Sequence, residues 1–217
     1  MADKYPSISP YNYCVWNPVK FIDPNGLEKI KAFKSGDDED TKNLNEHANN
    51  FPENAPVIHL WAHGSTTAIE CYDENDNQTR IVCAGDMESF LSERSKVWQQ
   101  NHQDGKDPEF TIIVLHSCHT GEGKNPIAQI ISTLENVFVV APNTTVIGTT
   151  ENGKVVEYGA ASYKVVKKEV DGKEIETKVV DRVGGWNMYF NGEKVDALNG
   201  TTKPIFTKPE KIQEKYD

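Results

Sequence analysis

Two short stretches of the sequence contain the residue types that nucleophilic catalysis requires. His63 is followed by Gly64, and Cys118 lies within the sequence Ser-Cys-His-Thr-Gly of residues 117–121. A cysteine is an effective nucleophile only as the thiolate. Because its usual pKa is about 8.5, it needs an imidazole or a helix N-terminus beside it at neutral pH. His63 is such a partner if the fold brings it to Cys118, and the chemistry expected of the pair is acyl transfer.

Each of the two residues follows a short apolar block. Residues 57–62 precede His63, and residues 110–115 precede the turn that contains Cys118. Near-continuous apolar blocks of this length are typical of strands that are buried on both faces of a parallel sheet. If the two strands are neighbours, both side chains lie at the carboxyl edge of the sheet, where open α/β sheets bind their ligands.

The backbone N–H groups of Gly64 and Cys118 are candidates for an oxyanion hole. Gly64 has no side chain that would obstruct its N–H, and two such donors stabilise the charge of a tetrahedral intermediate. The substrate pocket is expected around and after the cysteine, with Ser117, Asn143 and Trp186 as candidate residues. Trp186 follows two glycines and forms either the floor of a pocket or a core aromatic. The sequence leaves the preferred substrate residue open.

The remaining pattern from residue 56 is that of an α/β domain followed by hairpins. Strand, helix and strand alternate up to residue 141, as in a βαβ unit. Tight turns are expected at the Asn-Gly and Asp-Gly pairs of residues 152–153, 171–172 and 191–192. The other expected elements are a hairpin of residues 68–72 and 80–83, a helix that Asp86 caps and that continues through Trp98, a helix at 125–135, a strand at 137–141, a ribbon at 162–180, and a loose tail in the last dozen residues.

Three segments with different composition divide the chain. Residues 1–27 are rich in Pro, Tyr and Asn and contain closely spaced turn dipeptides, so they are not expected to form a helix. Residues 28–55 are predicted to be a polar linker, whose acidic run at 37–40 is typical of a solvated loop. Residues 56–217 are predicted to be the catalytic domain.

The first segment resembles the C-terminal end of the Rhs (YD-repeat) associated core domain. The resemblance covers residues 3–27 and rests on a Tyr-rich stretch, an Asn-Pro pair and the closing sequence Asp-Pro-Asn-Gly-Leu of residues 23–27. In that family the core closes a large shell, and this sequence is the junction after which a variable toxin or effector begins. The resemblance implies that the rest of the chain is cargo, with a cognate immunity protein as a partner.

The catalytic stretches resemble those of the caspase-like clan CD cysteine peptidases. Residues 56–148 contain an apolar block ending in His-Gly, a hairpin, a helix, and an apolar block ending in Ser-Cys-x-Thr-Gly. The resemblance implies an α/β fold, a caspase-like three-layer sandwich with a short, mostly parallel sheet, extended here by C-terminal β-hairpins. It also implies that His63 is the general base or acid, that Cys118 is the nucleophile, that no cofactor is used, and that the substrate is a protein or peptide.

Composition excludes several classes of partner. The chain has 217 residues and a net charge of −10, so it lacks the positive charge that phosphate backbones attract. Its longest apolar runs are far shorter than the roughly 20 residues that span a bilayer. We therefore expect no nucleic-acid partner and no membrane insertion. The N-terminus has no basic stretch before an apolar segment, so we expect no signal peptide and a place in the bacterial cytoplasm or export by a specialised system.

Two other functions compete with the peptidase hypothesis. His59, His63, His116, Cys118 and His119 are ligand types that zinc prefers, so the chain could be a zinc-dependent hydrolase. Their spacing matches no common zinc motif, however, and no carboxylate is placed as in His-Glu-x-x-His. The other alternative is a catalytically inactive caspase-like domain that serves as an interaction module.

Overall fold

A mixed sheet of six strands forms the centre of the computed structural model. The described residues are 28–36, 38–51, 57–151, 154–170, 173–206 and 209–216. With all strands numbered in chain order, those of the main sheet are β1 (Glu28–Lys31), β2 (Val57–Trp61), β6 (Thr111–His116), β7 (Val137–Pro142), β11 (Gly185–Phe190) and β12 (Glu193–Asn199). This is also their order across the sheet. Residues 1–27, which resemble the Rhs core, lie outside the described residues.

Two small antiparallel sheets and five helices complete the described fold. One small sheet contains β3 (His63–Gly64), β4 (Ile69–Tyr72) and β5 (Gln78–Ile81), and the other contains β8 (Val146–Glu151), β9 (Lys154–Val170) and β10 (Lys173–Val183). The helices are α1 (Glu39–Asn49), α2 (Ala84–Arg94), α3 (Lys96–Asn101), α4 (Ile127–Ile131) and α5 (Pro209–Tyr216). None of these helices is long and apolar enough to cross a membrane.

The predicted α/β class is confirmed. Strands β1, β2, β6 and β7 are parallel to one another, and β11 and β12 extend the sheet in antiparallel fashion. Alternate residues of the central strands enter two separate cores. In β6, Ile113 and Leu115 pack with α2, α3 and α4, whereas Ile112 and Val114 pack with α1, β8 and β9. Burial on both faces explains why these strands are apolar throughout.

Residues 28–36 and 38–51 are part of the folded domain, so the prediction of a polar linker over 28–55 is wrong for these residues. Strand β1 pairs with β2, and α1 buries Leu44 and Ala48. The carboxylate of Asp38 accepts a hydrogen bond from the N–H of Thr41 at 2.9 Å, so Asp38 caps α1. Within the acidic run 37–40, the described residues therefore begin a helix rather than forming a solvated loop, because acidic side chains stabilise a helix N-terminus.

Three other local predictions need correction. Cys83 is the N-cap of α2, and Asp86 lies in its first turn, where its carboxylate accepts hydrogen bonds from the N–H groups of Val82 and Cys83 at 2.9 and 3.1 Å. The helix expected to run through Trp98 is divided into α2 and α3 because Ser95 is extended and caps α3. Helix α4 is five residues long and shorter than expected.

The C-terminal half contains the expected hairpins, and the described residues 209–216 of the expected loose tail form a helix. Strands β9 and β10 pair in antiparallel register, as predicted for the ribbon. Asn191 and Gly192 have φ angles of 50° and 75° at the tip between β11 and β12, while the other two predicted tips lie outside the described residues. Helix α5 replaces the expected tail, because the ring of its Tyr216 packs 5.5 Å from the ring of Phe138.

A chain of buried hydrogen bonds links polar side chains beneath β2 and β6. His59 Nδ1 and His116 Nε2 are 2.8 Å apart, and His116 Nδ1 bonds to the hydroxyl of Tyr158. The Trp61 ring stacks on His116 at 3.9 Å. In either direction of donation along these hydrogen bonds, each bond has one donor and one acceptor while both imidazoles are neutral. Burial lowers the pKa of His59 to about 3 and that of His116 well below its usual value.

These histidines predict a loss of stability in acid. In the unfolded chain each histidine binds a proton below about pH 6.5, whereas in the folded chain it stays neutral. The unfolded state therefore binds more protons, so the stability that is complete above pH 6.5 declines as the pH falls toward 3. For His59, whose pKa in the folded chain is about 3, we expect the free energy of unfolding to fall by about 1.4 kcal/mol per pH unit over this window, measured by urea unfolding. The lowered pKa of His116 adds to this fall.

A triple variant with His59→Phe, His116→Phe and Tyr158→Phe provides the control. It replaces all three hydrogen-bonding partners by apolar rings and leaves none of them unpaired. Its free energy of unfolding should change less steeply with pH than that of the wild type. If the free energy of unfolding has the same slope against pH in the wild type and the triple variant, these hydrogen-bonded histidines do not cause the acid sensitivity.

Candidate active site

The parallel pairing of β2 and β6 brings the two predicted catalytic residues to one edge of the sheet. Trp61 is the register partner of His116, so the chain leaves both strands at the same level. His63 and Cys118 each follow two residues later, and both line a cleft of about 620 Å³. The phenyl ring of Phe33 contacts the imidazole of His63 edge-on, with 5.3 Å between ring centroids.

Gly64 allows the close approach of β3 to the turn that contains Cys118. A Cβ atom at this position would lie 2.8 Å from Ser117 Cβ, 2.8 Å from Thr120 Cγ2 and 3.0 Å from the carbonyl oxygen of Cys118. No larger residue fits without moving the turn. The His-Gly pair is therefore explained by packing, since the glycine lets the histidine strand lie against the cysteine turn.

The thiol of Cys118 is partly buried and accepts a hydrogen bond from the backbone. The N–H of Val146 lies 3.3 Å from Sγ. Burial raises the pKa of Cys118, the hydrogen bond from Val146 acts in the opposite direction, and the carboxylate of Asp40 raises it further. The resting thiol is therefore protonated at neutral pH, and it needs a base in order to react.

The walls of the cleft come from segments that sequence reasoning did not connect with the site. One wall is the start of α1, with Asp40 and the N-cap Asp38, and the other is formed by β8, β9 and β10. Tyr163 of β9 donates a hydrogen bond from its hydroxyl to Asp40 at 3.3 Å and so joins the two walls. The remaining lining residues are Thr41, Asn43, Leu44, Thr145, Val146, Ile147, Gly148, Val179 and Val180.

The three residues proposed for the substrate pocket do not line this cleft. Ser117 is fully buried beneath the turn, and Trp186 belongs to the core, where its Nε1 donates to the carbonyl of Gly200 at 3.3 Å. Asn143 accepts a hydrogen bond from the N–H of Gly185 at 2.7 Å and so ties two strands together. Ser117 and Trp186 are buried and Asn143 bonds to the backbone, so their assignment to the substrate pocket stays a prediction that this cleft does not support.

The five residues of the zinc hypothesis occupy three different places. His59 and His116 are bonded to each other in the core, His63 and Cys118 line the cleft, and His119 Nδ1 donates to the Glu122 carboxylate at 2.5 Å. Among the residues that the structure describes, no group of three or more His, Cys, Asp or Glu side chains could hold a metal ion. This geometry does not support the zinc alternative.

A comparison with known protein families gives one match. The sequence model of a domain of unknown function, DUF8616, matches residues 28–157, which is more than half of the chain. The chain belongs to the DUF8616 family. The matched region of this DUF8616 protein begins with β1 and includes both His63 and Cys118. No curated protein and no solved structure matches the chain.

Replacing Gly64 by alanine should separate β3 from the cysteine turn. We expect Gly64→Ala to lower the free energy of unfolding by about 1–3 kcal/mol, as overpacking does in a close-packed region. Urea unfolding measures this change. Gly85→Ala is the matched control, because the nearest atom to its added Cβ is 4.0 Å away and the position is helical. An equal loss in both variants would show that the Gly64 packing has no special effect.

Proposed function

We propose that this DUF8616 protein is a cysteine endopeptidase with a caspase-like sandwich fold, in which His63 and Cys118 form the catalytic dyad. The observation that carries the proposal is their place in one cleft. They are far apart in the sequence, yet they follow adjacent parallel strands at the edge of the sheet where α/β enzymes bind ligands. The covered faces of the six-stranded sheet support the proposed sandwich.

The proposed reaction is acyl transfer in two steps. The Cys118 sulfur attacks the carbonyl carbon of the scissile peptide bond while His63 takes the thiol proton. The tetrahedral intermediate then expels the amine, which receives that proton from His63, and a thioester remains on Cys118. Water, deprotonated by His63, attacks the thioester and releases the carboxylic acid and the thiol.

His63 acts in this proposal as a general base rather than as the partner of a preformed thiolate. Burial holds the pKa of Cys118 above its usual value, so the resting thiol keeps its proton. The imidazole of His63 can remove that proton as the sulfur attacks. The backbone N–H groups of Gly64 and Cys118 are the proposed oxyanion donors, and the contact between Gly64 and the cysteine turn brings these two backbones together.

The form of the cleft supports a polypeptide substrate. Its α1 wall is polar and contains two carboxylates, whereas Val146, Ile147 and Val180 make the other wall largely apolar. A peptide chain presents side chains of both kinds on its two sides. A volume of about 620 Å³ lies within the usual range for ligand pockets of about 300–1,000 Å³.

An inactive interaction module is the second candidate function. One observation favours it: Cys118 is partly buried and its pKa is raised, as for many cysteines that only pack. The tyrosine and valines that line the cleft would then form part of a binding surface. Cleavage assays distinguish this candidate from the peptidase.

The proposed biological role is that of a toxin or effector carried by an Rhs-type protein, or a self-processing module of such a protein. The resemblance of residues 3–27 to the Rhs core supports this role. The DUF8616 match begins at residue 28, directly after the proposed junction sequence Asp-Pro-Asn-Gly-Leu. A toxin of this kind requires a cognate immunity protein in the cell that makes it.

The proposal predicts that peptide cleavage depends on both members of the dyad. The full chain is incubated with a library of peptides derived from a bacterial proteome, and new termini are identified by mass spectrometry. Cys118→Ala should abolish cleavage, and His63→Ala should slow it by about 10²–10⁴, the usual contribution of a general base. Cys83→Ala is the control because Cys83 is exposed and does not line the cleft.

Three other outcomes bear on this prediction. Cleavage that persists in Cys118→Ala would overturn the nucleophile assignment. Cleavage that a chelator abolishes would restore the zinc alternative, since a cysteine dyad is indifferent to chelation. No cleavage by the wild type at any peptide would favour the interaction module.

A further inference from the structure

A set of hydrogen bonds ties residues 144–146 to the turn that contains Cys118. The N–H of His119 donates to the carbonyl oxygen of Thr144 at 2.8 Å, and His119 Nε2 lies 3.2 Å from Thr145 Oγ1. The next residue, Val146, directs its N–H at the Cys118 sulfur at 3.3 Å. Residues 144–146 therefore contact two successive residues of the cysteine turn, Cys118 and His119.

His119 makes the link because its backbone and its side chain are both held. Its φ angle is 60°, which is uncommon for a residue other than glycine. Its Nδ1 lies 2.5 Å from Oε2 of Glu122, and Glu122 also donates its N–H to the carbonyl of His119 at 3.0 Å. A carboxylate only accepts, so Nδ1 carries a proton. In neutral His119, Nε2 then accepts from the Thr145 hydroxyl.

We propose that Glu122 and His119 are positioning residues that hold residues 144–146 so that the N–H of Val146 stays directed at the Cys118 sulfur. This inference rests on the proposed function, because it concerns the nucleophile assigned there. The dipole of an N–H stabilises the negative sulfur as the thiol loses its proton. Neither Glu122 nor His119 lines the cleft, so both act through Thr145 and Val146.

The sign of one measurable shift separates positioning from a simple effect of charge. Glu122 is an anion close to the cysteine turn, and removal of an anion alone lowers the pKa of a nearby thiol. Loss of the Val146 hydrogen bond has the opposite effect, because the thiolate loses a donor. If Glu122 positions Val146, its removal should raise the pKa of Cys118 in spite of the lost negative charge.

The experiment measures the pKa of Cys118 from its rate of alkylation by iodoacetamide between pH 6 and 11, followed by peptide mass spectrometry. The full chain is used with His63→Ala in every sample, so that the rate reports only the thiolate fraction. In this background, Glu122→Ala and His119→Asn should each raise the pKa by about one unit. Asparagine is chosen because it tolerates a positive φ angle. The double variant should raise it no further than either change alone.

Two controls keep the result interpretable. Glu135→Ala removes an exposed carboxylate just before β7, at the opposite edge of the sheet, and should leave the pKa of Cys118 unchanged. Thermal unfolding identifies a variant that does not fold. If His119→Asn fails to fold, Thr145→Val replaces it, because it removes the hydroxyl that His119 contacts and keeps the shape of the side chain.

The outcomes separate this inference from the proposed peptidase. A raised pKa in the folded variants supports positioning, even if no peptide is cleaved. An unchanged or lowered pKa in Glu122→Ala overturns it, even if the wild type is an active peptidase. A merely structural role would lower the thermal midpoint and leave the pKa of Cys118 where it is.

Discussion

The parallel pairing of β2 with β6 determines where the candidate catalytic side chains of the domain lie. Both strands are buried on both faces, so their residues enter the two cores alternately. A shift of one residue between the strands would exchange these faces and move Trp61 from the core beneath α1, β8 and β9 to the core beneath α2, α3 and α4. Because the register is fixed, the chain leaves the two strands at the same level, and His63 and Cys118 enter one cleft.

The buried polar chain beneath the same two strands depends on this register as well. His59 of β2 bonds to His116 of β6, and His116 bonds to Tyr158 of β9. Apolar side chains tolerate several arrangements, whereas a buried hydrogen bond is satisfied in only one. These hydrogen bonds therefore favour one register of β2 against β6 and one position of β9. The cost is that two histidines must remain neutral in the core, which makes the fold sensitive to acid.

The central part of this arrangement could be predicted from the sequence, and the walls of the cleft could not. The apolar blocks that form β2, β6 and β7 are strong signals, and the place of His63 and Cys118 at one edge follows from parallel strands. Segment 28–55 was missed because β1 is only four residues long and α1 is polar apart from residues such as Leu44 and Ala48. The Asp38 cap was the available signal.

Other errors have similar physical causes. Trp186 was open to two interpretations because an aromatic residue after two glycines fits both a pocket and a core, and only the packing of β11 against β7 decides between them. Helix α5 was missed because Pro204 and Pro209 suggested a tail, although Ile212 and Tyr216 are spaced by four residues, as on one helical face. The position of His119 depends on long-range bonds to Thr144 and Thr145, which no local pattern encodes.

The most direct measurement of the central claim is the pH dependence of Cys118 alkylation in the wild type and in His63→Ala, with the exposed Cys83 as reference. If His63 is the general base, the wild-type rate should fall much less steeply with decreasing pH below the pKa of the thiol than the rate of His63→Ala. In His63→Ala the rate should fall about tenfold per pH unit below the pKa of the thiol. Identical profiles for Cys118 in the two proteins would contradict the account.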